Sequence, residues 1–396
     1  MAVSGSLLLT AFFVSSQNAF SLVGLPLLLK EGLLTETEMG ILLGAYPLAS
    51  AVSALCAGIV SDYYGRRRIL IIGHAVFAIA LLSHPLSISF AGLLAARLVS
   101  GLAAGLLVGL PSTYASDHFK HGALQRVLSR NLLGYALGHA IGLPLGIAIL
   151  ELVHFTELTG WLGLACIATW PSTLRNLPSY RPRETAKSAR LWNFHSTWTA
   201  IRARQSRTIA LQSFGAFFSS ALFQTSVALW MFDQLQLTAS ALASMFLIGG
   251  LGQCLIFMAV TPRLDAIGSS KTIALSLALQ ASLFFCFPLA SDYTLAAWLF
   301  ASSLVASALR IPSWHSWIAT DGDARHKGLR MSLCQTANLL GKSAGALVAG
   351  LLYSLLGAKG LTPIAGLILL GLATSWFLSA RPLTIVVANQ ATPHDV

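Results

Sequence analysis

The chain is predicted to be an all-α membrane protein, with twelve transmembrane helices arranged as two pseudo-symmetric six-helix bundles. Three observations carry this. Of 396 residues, 55% are hydrophobic and only 10% are charged, too little charge for the surface of a soluble domain of this size. The apolar residues come in long runs without the alternation of a membrane barrel, and open sheets have no place in a bilayer, so helices remain. The two halves of the chain also repeat one another at an offset of about 200 residues.

The apolar runs place the helices in order. Helix 1 is expected over 6–29; nothing basic precedes it and it is of full spanning length, so it reads as a retained span and not a cleavable signal. Helix 2 follows at 37–60, helix 3 at 68–84 and helix 4 at 88–115. Helix 5 is expected at 127–150 and helix 6 at 159–177. The second half gives helix 7 at 208–232, helix 8 at 238–260, helix 9 at 271–290 and helix 10 at 293–317, then helix 11 at 331–356 and helix 12 at 361–380. The N-terminal bundle is thus 1–177 and the C-terminal bundle 208–380, followed by a tail at 381–396. The link at 178–207 holds Pro178, Pro182 and seven Lys or Arg against one Glu. It reads as a basic tether, either plainly solvated or with Leu191, Trp192, Phe194 and Trp198 forming a short amphipathic helix at the membrane surface.

Orientation follows from the charges between spans. Arg66, Arg67, Arg68, Lys120, Arg181 to Arg207, Arg263, Lys271, Arg325, Lys327 and Arg330 fall in one set of links. The alternate set holds mainly Glu31, Glu36, Glu151, Glu157, Asp233 and Asp292. Both termini are therefore expected in the cytoplasm, and a multi-pass protein of the plasma membrane, the inner membrane in a bacterium, is expected. The formal charge of +11 has the same origin. It sits in short links without interleaved aromatics, so no nucleic-acid partner is expected. The five cysteines lie inside apolar runs with neither disulfide nor metal-ligand spacing.

The repeat is visible residue by residue. Leu34-Thr35 before helix 2 returns as Leu237-Thr238 before helix 8. Asp62 and Gly65 return as Asp265 and Gly268, and Pro111-Ser112 as Pro312-Ser313. Asn131-Leu132-Leu133-Gly134 with Gly138 returns as Asn338-Leu339-Leu340-Gly341 with Gly345. With six spans in each copy, the halves share one topology, and a site is expected between them at mid-membrane.

The link between helices 2 and 3 reads Gly58-Ile59-Val60-Ser61-Asp62-Tyr63-Tyr64-Gly65-Arg66-Arg67-Arg68. It resembles motif A of the major facilitator superfamily, G-x-x-x-D-x-x-G-R-R/K. In helix 4, Arg97-Leu98-Val99-Ser100-Gly101 resembles motif B, R-x-x-x-G. In helix 5, Gly134, Gly138, Gly142, Pro144 and Gly146 resemble the antiporter motif C, although Leu143 interrupts its Gly-Pro pair. The resemblance covers nearly the whole chain and is strongest to the twelve-helix drug and metabolite exporters. It implies alternating access, with the loops around Asp62 and Asp265 latching one state across the halves. It also implies a proton-coupling or substrate-contact role for Arg97.

The residues themselves narrow the cargo. Arg97, Arg310 and Lys342 stand inside spans, where a charge is costly unless it faces a cavity or a partner. No acid lies mid-span, so an anionic or polar neutral substrate is favoured over a purely cationic one. Arg310 reads either as a cavity residue or as one reaching back to the cytoplasmic surface. Lys342, about 16 Å into helix 11, is harder to explain that way. Its repeat mate is Tyr135. His139, one turn beyond Tyr135, is either a proton carrier or a bonded core histidine; His74 and His315 rank below it. Gln17, Asn18 and Gln224 are amides that either contact substrate or bridge helices. Gly138, Gly142, Pro144, Gly146, Gly341 and Gly345 read as hinge or packing positions. No enzyme motif is present, and no cofactor or metal is expected. The expected function is secondary transport of a small molecule by a monomer, with proton-coupled efflux first. Uptake or uniport of an organic or inorganic anion is the next reading, and a sensor or lipid-handling role on the same scaffold is the third.

Overall fold

The structure is a computed structural model, and it describes residues 2–87, 89–119, 121–150, 153–178, 204–235, 238–260, 268–320 and 327–379. All regular elements among them are helical. The tail, nearly all of the 178–207 link with its aromatic residues, and Asp265 lie outside these residues, as does the side chain of Asp62.

Among the described residues, twelve helices follow in the expected order. α1 spans Ala2–Lys30, α2 Glu36–Tyr64, α3 Arg66–Leu82 and α4 Phe90–His118. α5 covers His121–Leu137, widens into a π turn at Gly138–Gly142 and resumes as Leu143–Leu150. α6 is Phe155–Asn176 and α7 is Arg204–Asp233. α8 runs Ala239–Leu255 and ends in a second π segment, Ile256–Val260. α9 is Ser269–Cys286 and α10 is Tyr293–Thr320. α11 and α12 share Lys327–Ser379 and divide at Gly357, whose φ of 61° and ψ of 178° leave helical geometry. The sequence leaves room for a longer break there, but one residue suffices because Gly357 takes the left-handed φ that other residues resist.

Most helices outrun their apolar runs because polar ends belong to the helix as caps. At α2, Thr35 Oγ1 accepts from Glu38 N at 3.2 Å while Thr35 N donates to Glu38 Oε2 at 2.8 Å. This reciprocal capping satisfies two orphan donors.

The repeat extends to the backbone. Gly65 has φ 92° and ψ 129°, and its mate Gly268 has φ 88° and ψ 131°. Each starts the third helix of its half, and no atom lies within 4 Å of a Cβ added at either glycine. The cost of a side chain there is therefore conformational. Gly65→Ala and Gly268→Ala are each expected to lose roughly 1–3 kcal/mol, read as a lower melting temperature in detergent, with no packing defect.

Within each half the same pairs of helices pack. α5 lies on α1, and α11 on α7. The glycine row supports this: a Cβ on Gly138 would meet Phe12 O at 2.8 Å, and one on Gly345 would meet Ala221 Cβ at 3.0 Å. Between halves, α2 packs on α11 and α5 on α8. The ends of α1 and α2 that flank the links place Arg66–Arg68 and Arg330 on one face of the bundle, here the basic face. Glu31, Glu36, Asp233 and Asp292 lie on the other, acidic face.

The seam between halves is tight toward the acidic face. A Cβ on Gly40 of α2 would stand 2.8 Å from Gly350 Cα of α11, and one on Gly250 of α8 would stand 2.8 Å from Ala140 Cα in the π turn of α5. Beyond Gly350, Tyr353 Oη donates to Asp233 Oδ2 at 3.5 Å. A recess of about 710 Å³ opens there, lined in part by Glu36, Asp233, Tyr353 and Lys359.

Candidate functional site

The interior polar residues fall into two groups. The first belongs to the N-terminal half and centres on Arg97, which is fully buried. Its Nε donates to Leu42 O of α2 at 3.1 Å, and a second donor reaches Ser21 Oγ of α1. Its guanidinium lies 4.9 Å from the centroid of the Tyr46 ring. The R-x-x-x-G spacing explains the approach: Gly101, one turn along α4, lies against Tyr46 and Ala49 of α2, and Ser50 Oγ donates to Gly101 O at 2.8 Å. Among the described residues, one terminal nitrogen of Arg97 is buried without a partner, as are the Tyr46 hydroxyl and the Tyr135 hydroxyl. Gln17 lies on the same face of α1 as Ser21, one turn away. Its side chain is completely buried, and neither its oxygen nor its nitrogen is bonded.

The second group belongs to the C-terminal half. Arg310 is 1% exposed, so it does not reach back to the surface. One of its terminal nitrogens donates to Gln280 Oε1 of α9 at 2.8 Å, while its Nε is unbonded. Its guanidinium lies 5.8 Å from the Phe217 ring centroid and 5.6 Å from Trp314. Lys342 Nζ lies 5.3 Å from the same Phe217 ring. Trp314 Nε1 is a further buried donor without a partner among the described residues. Among the described residues, no carboxylate lies within ion-pair distance of Arg97, Arg310 or Lys342. Two cations on one aromatic ring with no counter-charge make a strongly positive wall, because a cation held away from water is poorly screened.

His139 joins the groups. It sits in the π turn of α5, where such turns often mark functional positions. Ser15 Oγ donates to Tyr135 O at 2.6 Å and meets His139 Nδ1 at 2.8 Å. With the hydroxyl proton spent on the carbonyl, Nδ1 carries its own proton and Nε2 is left as the acceptor. The ring stacks on Phe246 of α8 at 5.9 Å, and Lys342 lies within its electrostatic reach.

The other residues singled out in the sequence are scattered. Asn18 and Gln224 are half-buried and make no hydrogen bond among the described residues. His74 is a knot between α1, α3 and α6, contacting Thr10 Oγ1 at 3.3 Å and Cys166 O at 3.0 Å. Gly134, Gly142 and Gly146 complete the row that packs α5 on α1, and Gly341 packs α11 on α7. Pro144 follows the π turn.

In the basic link, Arg66 pairs with Asp117 at 2.5 Å and donates to Thr113 O at 2.8 Å, both in α4. Arg67 caps the end of α6 through Leu174 O at 2.7 Å and Leu177 O. Two of the three arginines thus engage helix ends of their own half, where cations are favoured, and Arg68 is exposed.

Ser21, Tyr46 and Gln280 join these groups without having been singled out in the sequence. Gln280 carries a usable signal, an amide deep in an apolar run. Ser21 and Tyr46 carry none, since serine and tyrosine occur throughout the spans.

Two repeated six-helix halves of spanning length, each with a buried arginine in its interior, mark a multi-pass membrane protein. The chain belongs to the Major Facilitator Superfamily, whose family model matches residues 7–223 and again 209–393. None of the curated proteins matches it. Among solved structures, it resembles the human organic anion transporter MFSD10 (TETRAN). The TM-score is 0.75 and the identity 19%, over 95% of this chain and 99% of that one. It resembles a D-xylose-proton symporter equally well, with TM-score 0.75 and 13% identity over 95% of this chain and 97% of that one. At these identities the likeness concerns the fold.

Proposed function

We propose that the protein moves an anionic small molecule through the membrane by alternating access, in exchange for protons and outward from the cell. The observation that carries the anionic part is the Lys342–Phe217–Arg310 wall, a half-buried and a buried cation with no carboxylate partner among the described residues. An anion arriving there supplies the missing counter-charge. A polar neutral substrate is the weaker form of the same reading. The similarity to a solved organic anion transporter agrees with it.

In this reading the basic face is cytoplasmic, following the lysine and arginine bias of the links. The tight Gly40–Gly350 seam then closes the outer side. His139 Nε2, unprotonated and facing the seam, is the proposed proton carrier. No cofactor enters this reading, and the two-half chain is taken as a working monomer.

The test is thermal stabilisation of the purified protein by organic anions, neutral polyols and organic cations, with Lys342→Ala alongside. Ligands that bind the folded state raise its melting temperature by mass action. Anions should stabilise the native protein and lose this effect in Lys342→Ala. Stabilisation by cations that survives the substitution would overturn the reading. Exchange is tested in proteoliposomes, where the stabilising anion added on one side should drive protons the opposite way.

Asp62 and Asp265 are proposed as the latch acids of the two links. Asp62→Asn is expected to slow transport while the melting temperature stays unchanged. Undiminished flux in that variant removes the latch.

The second reading, anion uptake or uniport, is favoured by the absence of a mid-span acid, since carboxylates are the usual proton carriers in membranes. Anion flux that ignores an imposed pH gradient would select it.

A further inference from the structure

The two polar groups differ in the kind of bond they leave unmade. This difference deepens the anion reading above and rests on it. In the C-terminal half, Asn338 Oδ1 is an unbonded acceptor one turn along α11 from Lys342, and the unbonded buried atoms at Arg310 are its Nε and the neighbouring Trp314 Nε1. Both of these nitrogens are donors only. The Lys342 ammonium next to them is also a donor only, and it has no hydrogen-bond partner among the described residues. These three groups, Arg310, Trp314 and Lys342, therefore favour oxygens that carry negative charge and offer nothing to a hydroxyl's proton.

The N-terminal half is different. Gln17 leaves an oxygen and a nitrogen unbonded, and Tyr46 and Tyr135 leave hydroxyls unbonded. Each of these side chains both donates and accepts. The formal charge there, Arg97, spends donors on Leu42 O and Ser21 within its own half and leaves one terminal nitrogen unbonded among the described residues. The Arg97 guanidinium lies 4.9 Å from the Tyr46 ring, and His139, one turn from Tyr135, stacks on Phe246 of α8. α5 thus carries the N-terminal group to the seam with the C-terminal half.

Buried polar atoms left unbonded are costly, and both walls leave several. We propose that the substrate has two chemically distinct ends. A multiply charged anionic group docks on Lys342, Arg310 and Trp314 of the C-terminal half. A neutral hydrogen-bonding end, hydroxyl or amide in character, docks on Gln17, Tyr46 and Tyr135 of the N-terminal half. A substrate of this form ties the halves together only when both ends are present.

The test uses a matched pair of probes in calorimetry with the whole purified protein. Glycerol 2-phosphate and isopropyl phosphate share the anion and differ in two hydroxyls, and glycerol alone supplies the neutral end. In the native protein, glycerol 2-phosphate is expected to bind at least tenfold more tightly than isopropyl phosphate. In Gln17→Leu that ratio should fall below about threefold, with the affinity for isopropyl phosphate unchanged. Tyr135→Phe, which removes only a hydroxyl, gives the same reading should Gln17→Leu fold poorly. Lys342→Gln should weaken both phosphates equally and leave their ratio intact.

Equal binding of the two phosphates in the native protein overturns the two-ended substrate and leaves the anion reading standing. So does a hydroxyl preference that survives both N-terminal substitutions. Failure of either phosphate to bind, with glycerol binding alone, overturns both.

Discussion

Replacing Lys342 by methionine should make the protein more stable and abolish its hold on anions. The ammonium stands on Phe217 with no hydrogen bond or carboxylate among the described residues, so the folded state bears a charge they do not compensate. Methionine has nearly the same length and no charge, and it fills irregular space readily. The melting temperature of Lys342→Met should therefore rise by a few degrees in the absence of ligand. Anion affinity should move the other way. Truncating one member of a buried charge pair costs about 2 kcal/mol or more, at least roughly thirtyfold in Kd. Opposite signs for stability and binding distinguish a binding residue from a structural one. A variant that melts lower and binds as before would show that Lys342 supports the fold. Lys342→Arg should keep the charge and part of the binding, with weaker discrimination among anions, because the guanidinium is planar and differently shaped.

The second large effect is expected at Gly350. A Cβ there would stand 2.6 Å from Gly40 Cα and 2.7 Å from Glu36 O. Both neighbours are backbone, so no rotamer change on α2 makes room. Gly350→Val should pry α11 from α2 near the acidic face without disturbing either half internally, because Gly350 touches across the seam. Overpacking of this kind costs about 1–3 kcal/mol, enough to shift a two-state balance by roughly 5–150-fold. The closed seam should become the minor state. Spin labels at Leu33 and Gln234, in a background without native cysteines, should report a longer distance in Gly350→Val. Transport should fall, while circular dichroism and expression hold. An unchanged distance distribution would show that the seam does not part there, and the contact would then be ordinary packing.

Much of the fold was legible because lipid imposes few solutions. Apolar runs of spanning length must be helices, and an internal copy such as Asn131-Leu132-Leu133-Gly134 and Asn338-Leu339-Leu340-Gly341 forces six helices per half. The close agreement of Gly65 and Gly268 in φ and ψ is that repetition seen in torsions. The single-residue joint at Gly357 was not legible. The glycine is ordinary in composition, and only its φ of 61° shows that the chain turns there. The π turn at Gly138–Gly142 was hidden for a related reason, since one extra residue per turn leaves no mark in an apolar run.

The site was legible in part. Arg97, Arg310 and Lys342 stood out as charges inside spans, and all three have their charged groups in the interior. Which polar groups they would meet did not stand out, because that depends on how helices rotate about their axes. Arg310 illustrates this. Its partner Gln280 lies on α9, thirty residues earlier in the chain, and no periodicity links the two. Asn18 shows the reverse: a mid-span amide that engages nothing among the described residues.

The joint at Gly357 has a mechanical consequence. With one non-helical residue between them, α11 and α12 have no slack, so a tilt of one is delivered to the other. α11 carries Lys342, while α12 presents Leu367, Leu370, Phe377 and Leu378 outward, all exposed on the bundle surface. In a bilayer those side chains feel the thickness and tension of the surrounding lipid, and a span that fits its membrane poorly adjusts by tilting. The Lys342–Phe217–Arg310 wall is therefore joined through one residue to a span that faces lipid, and membrane thickness is expected to bias its position.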